Sequence, residues 1–535
     1  MKKTENLVYS LAFHILKFIG VVFSAFLFIG ALLFSSSDTD ITTLKTFITP
    51  DNLFPGIIGI LVFLGIILFL RIPYKKNPIL TIRLLLIVTL SVYAIVGTLL
   101  IIFTKSAPFT DPQFVYEIVQ NCAQNIFTDI DINSYLSVYP HQIGLVFFYE
   151  PLLRLWNVFG INADAYVFLQ FINLLLTLVL VYFLYKLTDK FFSDSFVCVC
   201  FLLLSIGFLP LYFYILRVYG DLPSLTFFVI GLWAFTEIIS PQSAPLKPSG
   251  STRKQRISKF FLYLLNIVCF VLCVATRKNN IIGLIALILI TFCVIWHKKR
   301  WALFLLICSY LLISIFTLPA IQTLYETRAE NKLNDGTPPI AYIAMGMQNA
   351  PKACGWYNGF NYSVYVEPGY DLEFANFCSK IRINERLTYF KENPGNAFDF
   401  YFEKYASQWC DGSYASRELT AYTTLKRPAF FDTFYSKDGG KIFLFFCNIY
   451  QSLLYFGVLL FCLRSYFVKK EKNLLPYTVI LMAFGGFLFH FLWEANARAI
   501  FTYSLLLLPV SGAGIAGACN ILHFGLSKVH FRKIL

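Results

Sequence analysis

The chain has 535 residues, of which 57% are apolar and only 14% charged, with a mean hydropathy of +0.65 and a formal net charge of +14. Soluble domains run nearer half apolar and about 25% charged, so a set of ordinary soluble domains is excluded and lipid must solvate most of this surface. Nucleic acid is excluded as the reason for the positive charge, because most Lys and Arg fall in short loops between apolar runs, where membrane topology places them.

A spanning helix needs about 20 mostly apolar residues. Twelve segments meet that need in chain order: 13–34, 53–72, 82–104, 163–185, 195–216, 222–240, 258–275, 280–296, 301–319, 441–463, 474–493 and 500–522. The opening Met-Lys-Lys leads into the first run without a small-residue cleavage site, which reads as a retained span. Alternate loops carry the basic residues, among them Lys2 and Lys3, Lys75 and Lys76, Lys186 and Lys190, Arg253 and Lys254, Lys298 to Arg300, Lys469 and Lys470, and Lys528 and Arg532. The short loops of the other set carry only Lys45, Arg217, Arg277, Lys278 and Arg498. The positive-inside rule then puts both termini in the cytoplasm.

The expected organisation is an all-α polytopic protein in five parts. Residues 1–104 hold three spans and 105–162 a first outer loop with interfacial helices. Residues 163–319 hold spans four to nine, 320–440 an extracytoplasmic loop domain of mixed structure, and 441–535 the last three spans and a cytoplasmic tail. The apolar stretch 143–159 is long enough to pass for a span, but counting it would turn every later basic loop outward. It also carries Glu150 and Arg154 at i and i+4, on one helix face. It is therefore expected to lie on the outer face as an interfacial helix.

Of 13 cysteines, nine sit in apolar runs as small apolar residues. Cys122, Cys354, Cys378 and Cys410 fall in the outer segments, where three pairings are open. No Cys or His spacing indicates a zinc site.

Transporters keep ionisable residues at mid-membrane, whereas the spans here are nearly clean. The unusual polar residues gather at the outer ends: Asp111 and Glu117 after the third span, Arg217 and Asp221 between the fifth and sixth, Arg277 and Lys278 between the seventh and eighth, and Glu494 and Arg498 between the last two. Cations there suit a lipid phosphate or pyrophosphate as charge-assisted donors; the plainer reading is a head-group anchor, or for Arg498 an ion pair with Glu494 at i−4. Asp111 precedes Pro112 and is placed to cap a helix that starts there. A carboxylate at the mouth of a membrane cleft also suits general-base work on an attacking hydroxyl. Arg217 and Asp221 bracket Tyr219-Gly220 and either pair locally or line the same cleft.

An acidic residue after an early span, an interfacial helix opening with Tyr139-Pro140-His141-Gln142, and a Phe159-Gly160-Ile161-Asn162 turn into a span ending in basic residues together resemble the C-type (GT-C fold) membrane glycosyltransferases. The layout is similar to the bacterial protein-mannosyltransferase-like branch, which uses polyprenyl-phosphate sugars. Glu494-Ala-Asn-Ala-Arg498 before Phe501-Thr-Tyr is similar to a late element of that family. Pro338-Pro339-Ile340, Met345-Gly346-Met347 and Trp409-Cys410-Asp411-Gly412 resemble recurring pieces of Gram-positive members. Two features depart from the pattern: two spans precede the span that leads to Asp111, and Tyr139-Pro140-His141 stands where the better-known branch has Lys-Pro-Pro.

The resemblance implies a hexosyltransferase of the bacterial cell membrane with its site on the outer face. Asp111 would be the catalytic base. Arg277, Lys278 and Arg498 would hold the lipid phosphate, with Glu117, Arg217, Asp221, His141 and Glu494 as further substrate-binding residues. The donor would be a polyprenyl-phosphate sugar, the acceptor a wall or surface glycan or a protein, and the mechanism would require neither metal nor other cofactor. Two rivals share these features: a polymerase or ligase of diphosphate-linked glycans, and a non-enzymatic lipid-glycan flippase or transporter.

Overall fold

Lipid offers no partners to backbone N–H and C=O groups, so long apolar runs satisfy them internally as helices. The computed structural model describes residues 2–37, 46–160, 164–239, 252–298, 300–468 and 473–532, and among these the fold is helices joined by turns and loops, with one short antiparallel pair, Ser35–Ser37 with Phe47–Thr49. The expected basic residues Arg253 and Lys254 belong to a helix described by its backbone alone. Lys45, Lys247, Lys299, Lys469 and Lys470, and the Ile161-Asn162 part of the expected turn, lie outside the described residues.

Each of the twelve expected spans falls on a helix. Among the described residues nine helices are long and apolar enough to cross a membrane, from Phe13–Leu33 to Lys437–Phe467. The other three are altered by proline or by length. The 195–216 run breaks after Gly207, giving helices Phe196–Gly207 and Leu209–Tyr214 with Pro210 in the first turn of the second, where its missing N–H costs nothing. The last run is a pair, Ala497–Leu506 and Leu508–Ile521, bent by 52°; Pro509 lies just past the break and cannot donate back across it. The helix Tyr477–Leu492 is 16 residues long, shorter than a usual span.

Contacts sort the helix ends into two sets. At one end Arg71 donates to Asn520 at 2.5 Å, Asn520 donates to Asp194 at 3.0 Å, Asn473 donates to the Phe191 carbonyl at 2.7 Å, and Arg300 donates to the carbonyls of Ile238 and Ile239. The other end carries the long segments. There the Ala107 amide donates to the Tyr422 carbonyl (3.0 Å), and the Ser36 amide to that of Cys410 (2.9 Å).

Helix Ile143–Val158 lies at this loop-bearing end. Its buried face, Ile143, Gly144, Leu145, Val146, Tyr149 and Leu153, packs on helix Asp111–Ala123 and on the ends of Thr252–Thr276 and Phe304–Ala329. Leu155, Val158 and Phe159 are left exposed beyond it. Glu150 accepts from Arg154 at 2.7 Å, from both terminal nitrogens of Arg328, and from the Tyr325 hydroxyl.

Residues 320–440 hold helices and turns without a strand: the ninth expected span runs on to Ala329, and helices Pro339–Gly346, Phe360–Val366, Leu372–Glu392, Pro394–Trp409 and Ala429–Thr433 follow. The segment is not a detached unit. Trp409, beside Phe487 and Tyr503, and Tyr414, beside Phe208 and Phe501, are fully buried in the main core, and the Tyr414 carbonyl accepts from the Tyr214 hydroxyl at 2.9 Å. Cys122, Cys354, Cys378 and Cys410 are all unpaired.

Candidate functional site

The loop between Tyr214 and Asp221 dips against the end of helix Thr252–Thr276. A Cβ on Gly220 would collide with the Thr276 carbonyl, so only glycine permits this approach. The approach brings Asp221 to Arg277, which form a direct ion pair, while Arg217 lies 3.6 Å from the second Asp221 oxygen. Arg277 also faces the Thr502 hydroxyl at 3.5 Å. Arg498 and Arg217 both lie over the Tyr219 ring, with guanidinium carbons 5.3 and 5.1 Å from its centroid, within cation–π range.

Three guanidiniums therefore surround one buried carboxylate. Their hydrogen bonding is incomplete: Nε of Arg217, Nε of Arg498 and Oδ2 of Asp221 are buried without a hydrogen-bond partner. Burial, with Arg498 nearby, lowers the Arg217 pKa. A buried unpaired charge is costly, and a site with excess cationic donors is one that an anion would complete.

The Tyr219 hydroxyl accepts from Gln142 at 2.6 Å, and its backbone carbonyl accepts from Tyr149 at 3.1 Å. Burial, with the Asp111 charge next, pushes the Tyr219 phenol up. Asp111 thus lies within electrostatic reach of the arginine cluster, and Arg498 also feels its charge.

Asp111 is the first residue of helix Asp111–Ala123 and Thr110 is its N-cap, which corrects the expectation that Asp111 itself caps it. Thr110 has φ +58°, a strained conformation for a branched residue that costs about 1–3 kcal/mol. The partly exposed Asp111 carboxylate makes no hydrogen bond or ion pair among the described residues, and the positive end of its own helix favours its charge.

Glu494 lies in the turn between helices Tyr477–Leu492 and Ala497–Leu506. Burial pushes its pKa up to about 7, with Asp111 adding to the rise and Arg498 opposing it. The expected Glu494–Arg498 ion pair is absent among the described residues, since the arginine turns to Tyr219 instead. His141 is pushed down to about 4 by burial and then by Lys278, with Asp111 opposing, so it is neutral. Lys278 is exposed at the start of a short 3-10 turn, Lys278–Asn280.

The structure brings Asp111, His141, Arg217, Asp221, Arg277, Glu494 and Arg498 together, with Lys278 at the edge. It does not bring in Glu117, which is exposed on the outer side of its helix and accepts from Gln113 at 2.9 Å. Six residues of helix turn it well away from Asp111. Tyr219, Gln142 and Thr502 are additional members. Tyr219 stood between Arg217 and Asp221 beside a glycine, and Gln142 and Thr502 stood in the Tyr139-Pro140-His141-Gln142 and Phe501-Thr-Tyr motifs without a role of their own.

No protein-family model matches this chain, and no curated protein matches it. Among solved structures, the Archaeoglobus fulgidus oligosaccharyltransferase tethered to an acceptor peptide containing the NVT sequon aligns with 82% of this chain and 50% of that one, at 14% identity and a TM-score of 0.40. The chain spans about half the length of that protein.

Proposed function

We propose that this chain is a membrane glycosyltransferase that moves a monosaccharide from a polyprenyl phosphate to an acceptor hydroxyl on the outer face of a bacterial plasma membrane. The observation that carries the reading is the cluster of Arg217, Arg277 and Arg498 around the single carboxylate of Asp221, beside the unpaired Asp111. The cluster sits at the end of the bundle that the charge pattern assigns to the outside.

The reaction follows from this placement. The donor phosphodiester carries one negative charge. Asp111 accepts the acceptor's hydroxyl proton while the oxygen attacks the anomeric carbon. The bond from that carbon to the phosphate oxygen breaks, and its electron pair leaves with the lipid phosphate. The leaving group gains one negative charge, which the guanidiniums stabilise where it develops. A single displacement inverts the anomeric centre. Glu494, with its pKa near 7, donates a hydrogen bond while protonated and adds repulsion to the phosphate once ionised.

The test uses purified full-length protein in nanodiscs, fed radiolabelled polyprenyl-monophosphate and polyprenyl-diphosphate sugars. The monophosphate donor alone should be consumed, and Asp111→Asn should abolish consumption without changing the melting temperature. Full activity in Asp111→Asn would remove the base from the mechanism. Exclusive use of the diphosphate would favour a polymerase or ligase.

A further inference from the structure

The 336–362 segment is fastened to this end of the bundle at three residues, Thr337, Gly346 and Gly355. The Thr337 amide donates to the Val138 carbonyl at 3.0 Å, and the Ala495 amide to the Gly355 carbonyl at 2.8 Å. Buried Lys404 donates to the carbonyls of Gly346 (2.5 Å) and Trp493 (2.8 Å). Gly346 lies so close to this turn that a Cβ would come within 2.6 Å of the Leu492 carbonyl and the Trp493 backbone. Helix Pro339–Gly346 thus bridges the Tyr139 loop and the Glu494 turn.

The bridge presents aromatic rings to the two carboxylates. Tyr342 stacks on Trp493, with centroids 4.9 Å apart and planes 7° apart. The phenols of Tyr139, Tyr342 and Tyr357 are all raised by burial first, and each also feels Asp111 and Glu494. Tyr357 remains 51% exposed, so the wall is open to solvent. The phenols stay protonated at neutral pH and both donate and accept.

The geometry points to a binding site for a neutral saccharide acceptor on the wall of Tyr139, Tyr342 and Tyr357, beside Asp111 and Glu494, with Trp493 held behind Tyr342 by its stacks on that ring and on Phe489. The inference rests on the transferase reading and names its acceptor class. A pyranose ring has apolar C–H faces that lie against flat aromatic rings, and hydroxyl edges that match phenols and carboxylates. The chemistry is the step already written: the saccharide hydroxyl gives its proton to Asp111 as its oxygen bonds to the anomeric carbon and the lipid phosphate departs.

The experiment measures binding to the full-length protein in nanodiscs. The probes are fluorophore-labelled neutral di- to hexasaccharides, a Ser/Thr-containing peptide, and radiolabelled polyprenyl phosphate. Saccharide binding is expected, weakened at least tenfold by Tyr342→Ala and Tyr357→Ala, largely retained in Tyr342→Phe, with polyprenyl-phosphate binding unchanged in all three. Binding of the peptide but of no saccharide overturns the inference, as does no saccharide binding at all or saccharide binding indifferent to both alanine variants. Failure of the wild type to bind polyprenyl phosphate strikes the transferase reading, which separates the two failures.

Discussion

Two ionic clusters stand at the same end of the bundle, and they are satisfied to different degrees. Glu150 accepts from Arg154, Arg328 and Tyr325, and joins helix Ile143–Val158 to helix Phe304–Ala329. Burial pushes its carboxyl up, but the hydrogen bonds from Arg328, Tyr325 and Arg154 outweigh that and hold the pKa below its usual value. Asp221 shares three guanidiniums, yet one of its oxygens and the Nε atoms of Arg217 and Arg498 have no hydrogen-bond partner. The first cluster is complete as a fold element. In the second, Arg217 Nε and Asp221 Oδ2 stand 3.6 Å apart, beyond hydrogen-bond length, and Arg498 Nε has no hydrogen-bond partner among the described residues, so buried polar atoms are left unsatisfied.

Between the two clusters, the larger effect on turnover should come from the incomplete one. Arg498→Met removes the guanidinium that lies over the Tyr219 ring and acts on Asp221 through its charge alone. Losing one donor to a developing negative charge costs about 10²–10³-fold in turnover. Folding should suffer less, because among the described residues Arg498 makes no direct ion pair and Asp221 keeps Arg217 and Arg277. Turnover and melting temperature in detergent check both halves, and a large fall in melting temperature would place Arg498 among the fold elements.

Glu150→Gln should do the reverse. It leaves Arg154 and Arg328 without their carboxylate, and breaking a buried pair costs about 3–5 kcal/mol. Both arginines are about a third exposed, with side-chain accessibilities of 36% and 30%, so solvent screening brings the loss below that range. Thermal unfolding should occur at lower temperature while the folded fraction keeps its specific activity.

Glu494 sharpens the comparison by pH. Its pKa is raised from the usual 4.5 to about 7, so the native state favours its protonated form. The stabilisation from that proton is fully present below the unfolded value and is lost as pH rises through the folded one. Turnover should therefore fall as pH rises past about 7, when a second carboxylate faces the donor phosphate. Glu494→Gln, which cannot ionise, should flatten that limb. A pH–rate profile of both proteins decides it, and an unchanged limb in the variant would move the titration to another group.

The spans were legible because each is a contiguous run, and twenty apolar residues carry their own signal. The Glu150–Arg154 pair was legible for the same reason, since i and i+4 share a helix face. Arg328 and Tyr325, which complete that cluster, lie about 175 residues along the chain, and only tertiary packing joins them. The arginine site was legible as charge at one end of the bundle, but not as a cluster around Asp221, which depends on the approach allowed by Gly220. The aromatic wall was the least legible. Tyr342 and Tyr357 belong to a segment of ordinary polar composition, and their relation to Glu494 rests on carbonyls held by Lys404.

Glu117 gives the smallest expected effect. It was expected among the substrate-binding residues, in the same outer loop as Asp111. The helix places it in solvent, where Gln113, four residues back, donates to its carboxylate. Exposed pairs of this kind contribute little, and surface substitutions away from special features change stability by about 0.5 kcal/mol or less. Glu117→Ala should thus leave turnover within about twofold of wild type, since no interaction with a developing charge is removed. Asp111→Asn, six residues earlier on the same helix, should abolish it. The two variants alter the charge of one helix equally, so a matched loss in both would mean that transfer responds to net charge at the bundle end, and not to a base held at Asp111.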